Sequence, residues 1–527
     1  MESLGDTLWD VVICGTDLQQ SLLALSLSRS GKKILHIDPN GYYGGTEAAF
    51  SLQEAESWVT DVAASVAAAT NGTCPWRSAS ICKPEAAATE GQRAATGLSF
   101  PRAYSLALAP QIIHTRSDLL SQLVSSCAYR QIEFLAVGSF YIFKASAPAQ
   151  ASKEMGKPTL SRIPATREDV FSTTAITAKA KRGLMKFLKF VMDYDSPPQT
   201  ESWGRYADVP LTEFVQMEFK MDNELQTYIV TLTLSLDGRI STKDGLAVIH
   251  RHLTSMGVFG SGFAAVYPKW GGLSEIAQVA CRAAAVGGAV YMLGTDIKTM
   301  QESSDTHDAN LVMSVELSSG DTIKTRMLVR ASVQDHSTTG DGVSGAMGIS
   351  RLVTVIDTPL KSLFAAVVEG SPTPAVAVIA FPVGSVTTAT GKVSENPVYV
   401  FAHSSDTGEC PVGQSVLYFT TLSTPDSKEI LMQAMDSLLT AIAAEEHAPR
   451  SLFQLHYEQA RGATNSQTQG LIFDFPSPSL SLSFDDSSLE SVRQAWSRIT
   501  DESVAEMEYM TFPDREGAMS DEDEMYT

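Results

Sequence analysis

The chain has 527 residues, 44% of them apolar, and 60 acidic side chains against 39 basic ones give a formal net charge of −21. That composition excludes a largely disordered polymer and offers no basic stripe for nucleic acid, and the length calls for two or three structural units. Six cysteines (Cys14, Cys74, Cys82, Cys127, Cys281, Cys410) lie scattered, without metal-ligand spacing or a disulfide framework, as in a reducing compartment. The chain opens with MESLGDTLWD, acidic and without an apolar run. No stretch approaches the roughly 20 apolar residues that span a bilayer, so a cytoplasmic protein is expected.

The first pattern is DVVICGTDLQQSLLALSLSRSGKKILHID at 10–38. A short strand, Val11–Cys14, meets Gly15, then an amphipathic segment, then a second strand, Ile34–Ile37, ending in Asp38. Strand, helix and strand predict a βαβ unit with a parallel sheet. A dinucleotide-binding turn would read G-x-G-x-x-G there. The three glycine places instead hold Gly15, Asp17 and Gln20. The second glycine normally lets the backbone reach a pyrophosphate, and the third lets helix and strand pack closely. A carboxylate at position 17 repels that anion, and it could itself cap the helix and fill the anion's seat. Gln20 adds bulk where close packing is wanted. Asp38 stands where a ribose-binding acid would, but the sequence D-P-N-G that it starts reads better as a strand-end turn. His36 reads as a packed strand residue. We expect no bound cofactor.

Further along, 61–99 is rich in Ala, Ser, Thr and Gly with weak periodicity, which predicts a mobile surface insertion. A helix is predicted over about Arg116–Ser125 and strands around Glu133–Phe143. Residues 147–164 read as a polar excursion. From Thr166, a good helix start, to Gly257 the pattern is helical, including KRGLMKFLKFVMDY, LTEFVQMEF, ELQTYIVTLTLSL and KDGLAVIHRHLTSMG. A turn, helix and strand follow in YPKWGGLSEIAQVACRAAAVGGAVYML, then strands near 311–316, 322–333, 351–357, 364–381, 397–404 and 415–422. A helix over Ser487–Ile499 precedes an acidic tail. The expected organisation is a discontinuous first domain, 1–146 with 258–515, around a helical domain II, 147–257, and a disordered tail, 516–527.

Tyr267-Pro268-Lys269-Trp270-Gly271-Gly272-Leu273 resembles the P-x-G-G-x-x-x-L stretch of flavin amine oxidases and phytoene desaturases. The late glycine-rich segment of those enzymes has no counterpart in SLSLSFDDSSLESVRQAWSRIT. Several segments together are similar to the Rab GDP-dissociation inhibitor and Rab escort protein family. These are GKKILHIDPNGYYGG, RAYSLALAPQIIHTRSDLLSQL, STKDGLAVIHRHLTSMGVFG, YPKWGGLSEIAQ, GGAVYML and SRLVTVID, in the family's order. The resemblance implies an α/β fold: an FAD/NAD(P)-binding-like (flavoprotein monooxygenase-like) discontinuous domain with mixed sheets plus a smaller helical domain. It implies a Rab-binding platform at Tyr42, Tyr43, Gly44 and Gly45, with Asp244, Arg251 and Met256 in the segment returning from domain II. There Val258-Phe259-Gly260 departs from the family's Arg-Tyr-Gly, which puts Rab preference in question. TREDVFSTTAITAKAKRGLMKFLKF resembles the escort branch, in which Phe171 and Arg182 would contact the Rab geranylgeranyltransferase. Eleven residues apart, they would share a face of one continuous helix. The implied protein is a non-catalytic escort. It binds unprenylated GDP-loaded Rab GTPases, presents them to the catalytic αβ heterodimer and keeps the geranylgeranylated product soluble, touching membrane only transiently at delivery. The alternatives are a recycling Rab GDP-dissociation inhibitor and, further off, an FAD-dependent oxidoreductase.

Overall fold

A computed structural model describes residues 4–68, 74–84, 97–145, 157–164, 177–304, 311–331, 348–443, 448–500 and 509–513. In chain order the helices are α1 (Leu18–Leu27), α2 (Leu52–Ala68), α3 (Asp118–Ser125), α4 (Ala178–Met192), α5 (Gln199–Gly204), α6 (Leu211–Phe219), α7 (Asn223–Thr233), α8 (Thr242–Ser255), α9 (Leu273–Val286), α10 (Ser427–Ile442) and α11 (Ser487–Thr500).

A six-stranded sheet is assembled from distant parts of the chain. Its order is Val290–Leu293, Ile34–Asp38, Val11–Cys14, Leu328–Ala331, Ile472–Phe475, Gln467–Gln469. All neighbours are parallel except the last pair. α1 is the crossover between the strands Val11–Cys14 and Ile34–Asp38 and packs against both α9 and α11. Every residue of α1 is buried. The segment is therefore a core helix, and its sequence LQQSLLALSL has the weak face contrast that burial on all sides permits.

The second layer is a larger mixed sheet. Its order is Trp76–Cys82, Ser451–Gln459, Ile349–Ile356, Ser415–Leu422, Val398–Ser404, Val376–Phe381, Phe134–Lys144, Ala265–Pro268, Ile113–His114, with Thr159–Arg162 added beside Phe134–Lys144. A four-stranded sheet (Leu8–Trp9, Thr322–Thr325, Leu311–Leu317, Ile297–Ser304) flanks the first.

Two expectations are corrected here. The segment 61–99 is not one mobile insertion: α2 runs to Ala68, and Trp76–Cys82 is an edge strand paired with Ser451–Gln459. Ala55, Trp58 and Val62 recur at helical spacing and are buried. Trp58, Trp76 and Tyr457 then meet edge to face with ring centroids 5.0–5.6 Å apart. Three aromatic anchors outweigh the Ala/Ser composition around them. The polar stretch 147–164 also contributes a strand, Thr159–Arg162, to the large sheet rather than to the helices. α10 and the strand Ser451–Gln459 are elements that the sequence pattern had left unassigned.

Helices α4 to α8 pack around Phe187, Phe214, Val215, Leu225, Leu246 and Ile249, all buried. Phe219 joins Phe187 and Phe190 at 5.2 and 5.4 Å. α4 starts where Thr177 caps it, its side chain accepting the Ala180 amide.

Candidate functional site

The turn after the strand Val11–Cys14 is closed from within. Gly15 donates its amide to the Ile37 carbonyl at 2.9 Å. Its own carbonyl lies 2.6 Å from His36 Nε2. Burial lowers the His36 pKa to about 4, so the ring is neutral and donates from Nε2. His36 also lies 4.8 Å, ring to ring, from Tyr291, a packing role.

Asp17 occupies the cap position of α1; its carbonyl accepts the Ser21 amide at 3.0 Å, but its side chain makes no bond to its own helix. Its Oδ1 accepts the Thr46 amide and the Thr46 hydroxyl, each at 2.8 Å. The amide that a phosphate would take, Leu18 N–H, donates instead to Glu47 Oε2 at 2.7 Å. The expected self-capping by Asp17 is thus replaced by a carboxylate arriving from 29 residues away. Glu47 had not been singled out, and only its place just after Tyr42-Tyr43-Gly44-Gly45-Thr46 hints at the role. Burial raises both pKa values, Asp17 to about 6 and Glu47 to about 8. The Asp17 charge adds to the cost of ionising Glu47, and the Asp38 charge adds to that of ionising Asp17.

Thr16 and Asp38 tie the turn to the second strand. The Thr16 hydroxyl donates to Asp38 Oδ2 at 2.6 Å and accepts the Gly44 amide at 2.9 Å. Asp38 Oδ1 accepts the Asn40 amide at 2.7 Å and its side-chain nitrogen at 3.0 Å. Both carboxylate oxygens are engaged in the turn, which is the strand-end reading. Gln20 is buried behind Gly15, as its bulk requires.

These bonds explain the glycine pair. Gly44 and Gly45 have φ of +95° and +50°. A Cβ on Gly45 would stand 2.6 Å from the Asp17 carboxylate oxygens, and one on Gly44 would stand 3.0 Å from Ala48 Cα. The turn can close over Asp17 only without side chains there. Beside it, Tyr42 meets Phe50 edge-on at 4.8 Å and Tyr43 lies 6.2 Å from Tyr291. Both tyrosines remain partly exposed.

The other named residues are dispersed. Asp244 is exposed at the start of α8, which Ser241 caps: the Asp244 amide donates to Ser241 Oγ, and that hydroxyl donates to Asp244 Oδ2. Arg251 is directed inward. It bonds Asp486 Oδ2 at 2.7 Å and the Phe484 carbonyl at 3.3 Å, tying α8 to the segment before α11. Met256, just past α8, faces an apolar cavity. Arg182 is exposed on α4. Phe171 lies outside the described residues. α4 begins at Ala178 with Thr177 as its cap, so the helix that carries Arg182 starts after position 171.

That cavity, about 700 Å³, lies between α4, α7, α8 and the strand Phe134–Lys144. Phe140, Leu184, Leu188, Ile229, Ile249 and Leu253 line it. Sequence reasoning gave no residues for it, because helical periodicity shows which faces are apolar but not where they fail to meet.

The chain matches the family model described as GDP dissociation inhibitor over residues 5–60 and 86–368. It belongs to that family. Among curated relatives of this family member, the Rab proteins geranylgeranyltransferase component A of Candida albicans is 28% identical over 444 residues, covering 83% of this chain and 63% of that protein. The Rab GDP-dissociation inhibitor of Saccharomyces cerevisiae is 24% identical, covering 57% of this chain and 59% of that one. The chain thus spans less than two thirds of the length of either. Among solved structures, Rab GDI from Plasmodium falciparum aligns with a TM-score of 0.60 at 16% identity, over 93% of this chain and 97% of the other. An oxidoreductase from Methanosarcina mazei aligns with a TM-score of 0.54 at 10% identity, over 92% and 99%. The fold is the FAD/NAD-binding-like α/β fold. A flavin's pyrophosphate, which that fold holds at the α1 N-terminus, does not fit this family member: Glu47 holds the Leu18 amide and Asp17 adds a second carboxyl group.

Proposed function

We propose that the chain is the escort component of Rab geranylgeranylation. It binds GDP-loaded Rab at the turn around Tyr42 and Tyr43, presents it to the catalytic transferase and shelters the lipidated product. The observation that carries this reading is a rigid aromatic turn, pinned by Asp17 and Glu47, in the same molecule as an apolar cavity of about 700 Å³. Partly exposed aromatics beside glycines suit a protein-binding anchor. The cavity falls within the roughly 300–1,000 Å³ of ordinary ligand sites. Burial contributes about 0.8 kcal/mol per CH₂, so a chain of about twenty carbons supplies on the order of 10 kcal/mol. That suffices to hold a prenylated protein in solution.

The role is non-catalytic. Asp17, Glu47 and Asp38 are all engaged in holding the turn, and the chain's residues bind and orient rather than react. Asp244 and Met256 would extend the Rab contact, and Phe171 and Arg182 would meet the transferase. The escort branch is favoured over the recycling inhibitor by the extent of the match, 83% of the chain against 57%.

The test is a prenylation reaction containing catalytic transferase, geranylgeranyl pyrophosphate and unmodified GDP-Rab, with and without this protein. Geranylgeranyl transfer that depends on its addition is expected. No stimulation, together with extraction of prenylated Rab from membranes, would assign the recycling role. An absorbance band near 450 nm surviving desalting would return the chain to the flavin enzymes.

A further inference from the structure

In a chain of net charge −21, α4 stands out: AKAKRGLMKFLKFVM holds five basic residues and no acidic one. At 3.6 residues per turn, Lys179, Arg182, Lys186 and Lys189 fall within an arc of about 80°. All four are exposed, while Leu184, Phe187 and Val191 are buried on the other side of the helix. Among the described residues none of the four forms an ion pair. Arg182 bonds back to the Ala178 carbonyl, and Lys186 lies 5.6 Å over the Phe219 ring. The acids that follow it in sequence, Asp193 and Asp195, come after the helix has ended at Met192.

The placement of this arc is the second observation. Lys186 and Lys189 themselves line the apolar cavity, together with Leu188 and Met192, and Met192 is 46% exposed. The basic arc therefore forms one rim of an apolar chamber. A cationic rim with apolar side chains beside it is the chemistry of an interfacial helix.

We propose that this face of α4, after the transferase has left Arg182, docks on an anionic phospholipid surface and sets the cavity rim against the bilayer. Charge fixes the orientation. The rest of the chain carries a still larger net negative charge and is repelled by the same surface, which favours approach by this rim. The attraction extends about one Debye length, roughly 8 Å at physiological salt, so docking is reversible and salt-sensitive. The purpose rests on the escort reading, since a prenyl chain leaving the cavity at this rim enters lipid without crossing water.

The experiment uses the full-length protein alone, floated with phosphatidylcholine vesicles containing or lacking phosphatidylserine, at low and raised salt. Wild type should partition onto the phosphatidylserine vesicles and be released by salt. Lys179→Glu with Lys186→Glu and Lys189→Glu should lower that partition about tenfold or more, and so should the milder Gln variants. An unchanged thermal midpoint confirms that the variants are folded. Equal binding to both vesicle types, or full binding by folded variants, overturns the proposal. So does a wild type indifferent to lipid whose variants lose transferase affinity, for the face would then belong to the transferase. No GTPase is present, so a negative result leaves the prenylation test standing, and a negative prenylation test leaves the lipid result standing.

Discussion

Glu47 and Asp17 share a buried pocket, and their protonation links the Tyr42–Tyr43 turn to pH. Both carboxyls titrate higher in the folded chain than in the unfolded one. The folded state therefore holds protons that the unfolded state has released, and stability falls as pH rises from the ordinary carboxyl range through about 6 and on to about 8. Glu47→Gln keeps an oxygen for the Leu18 amide and removes the charge. It should flatten that decline and leave the variant more stable than wild type by on the order of 1–2 kcal/mol near pH 8. Urea unfolding across this range measures it, and an unaltered slope would mean that the pair is solvated. At this scale the sequence was half legible. The missing glycines and the turn at Asp38 could be read locally. Glu47 could not, because its partner lies 29 residues away and nothing in G-T-E marks a helix cap for a different helix.

Arg251 and Asp486 join two elements that the sequence placed in different domains. Their 2.7 Å ion pair is about one quarter exposed at each end, so its contribution is modest. Arg251→Ala and Asp486→Ala should each destabilise by about 1 kcal/mol, and the double variant by scarcely more than one of them. A double-mutant cycle in chemical denaturation reads this coupling. If Arg251 also served the GTPase directly, Arg251→Ala would lose Rab affinity that Asp486→Ala retains. Among the elements, α4, α8 and α11 announced themselves through strong helical periodicity. α10 was overlooked, and so were the strands Trp76–Cys82 and Ser451–Gln459. The strand at 76–82 is an edge strand of mostly small polar residues, whose single deep anchor is Trp76. α1 was recognised but misjudged as amphipathic, because helices on its outer side remove the solvent that would have demanded a polar face.

Across the whole molecule, the small parallel sheet gathers strands from the start, middle and end of the chain, while the cavity lies on the far side of the large sheet's Phe134–Lys144 strand among the helices. Turn and cavity therefore use different elements and can be perturbed separately. Leu188→Trp, filling the cavity, should cost about 1–3 kcal/mol of stability at most. It should leave unprenylated Rab binding near wild type and weaken retention of prenylated Rab about tenfold or more. Comparative pull-down of the two Rab forms in detergent-free buffer checks it, and equal loss of both would place the lipid elsewhere. The strands Val11–Cys14 and Ile34–Asp38 were legible because each is a short apolar run bounded by turn residues. The cavity was not, since a void is a property of how faces meet.

The Glu47 carboxyl group at the α1 N-terminus has a consequence for supply. A protein that is completed by a dissociable cofactor gains stability in proportion to the logarithm of how much of that cofactor is present. Here the group in the seat is tethered to the same chain, so its occupancy does not depend on any metabolite's concentration. The turn that presents Tyr42 and Tyr43 is equally formed in a starved cell and a replete one.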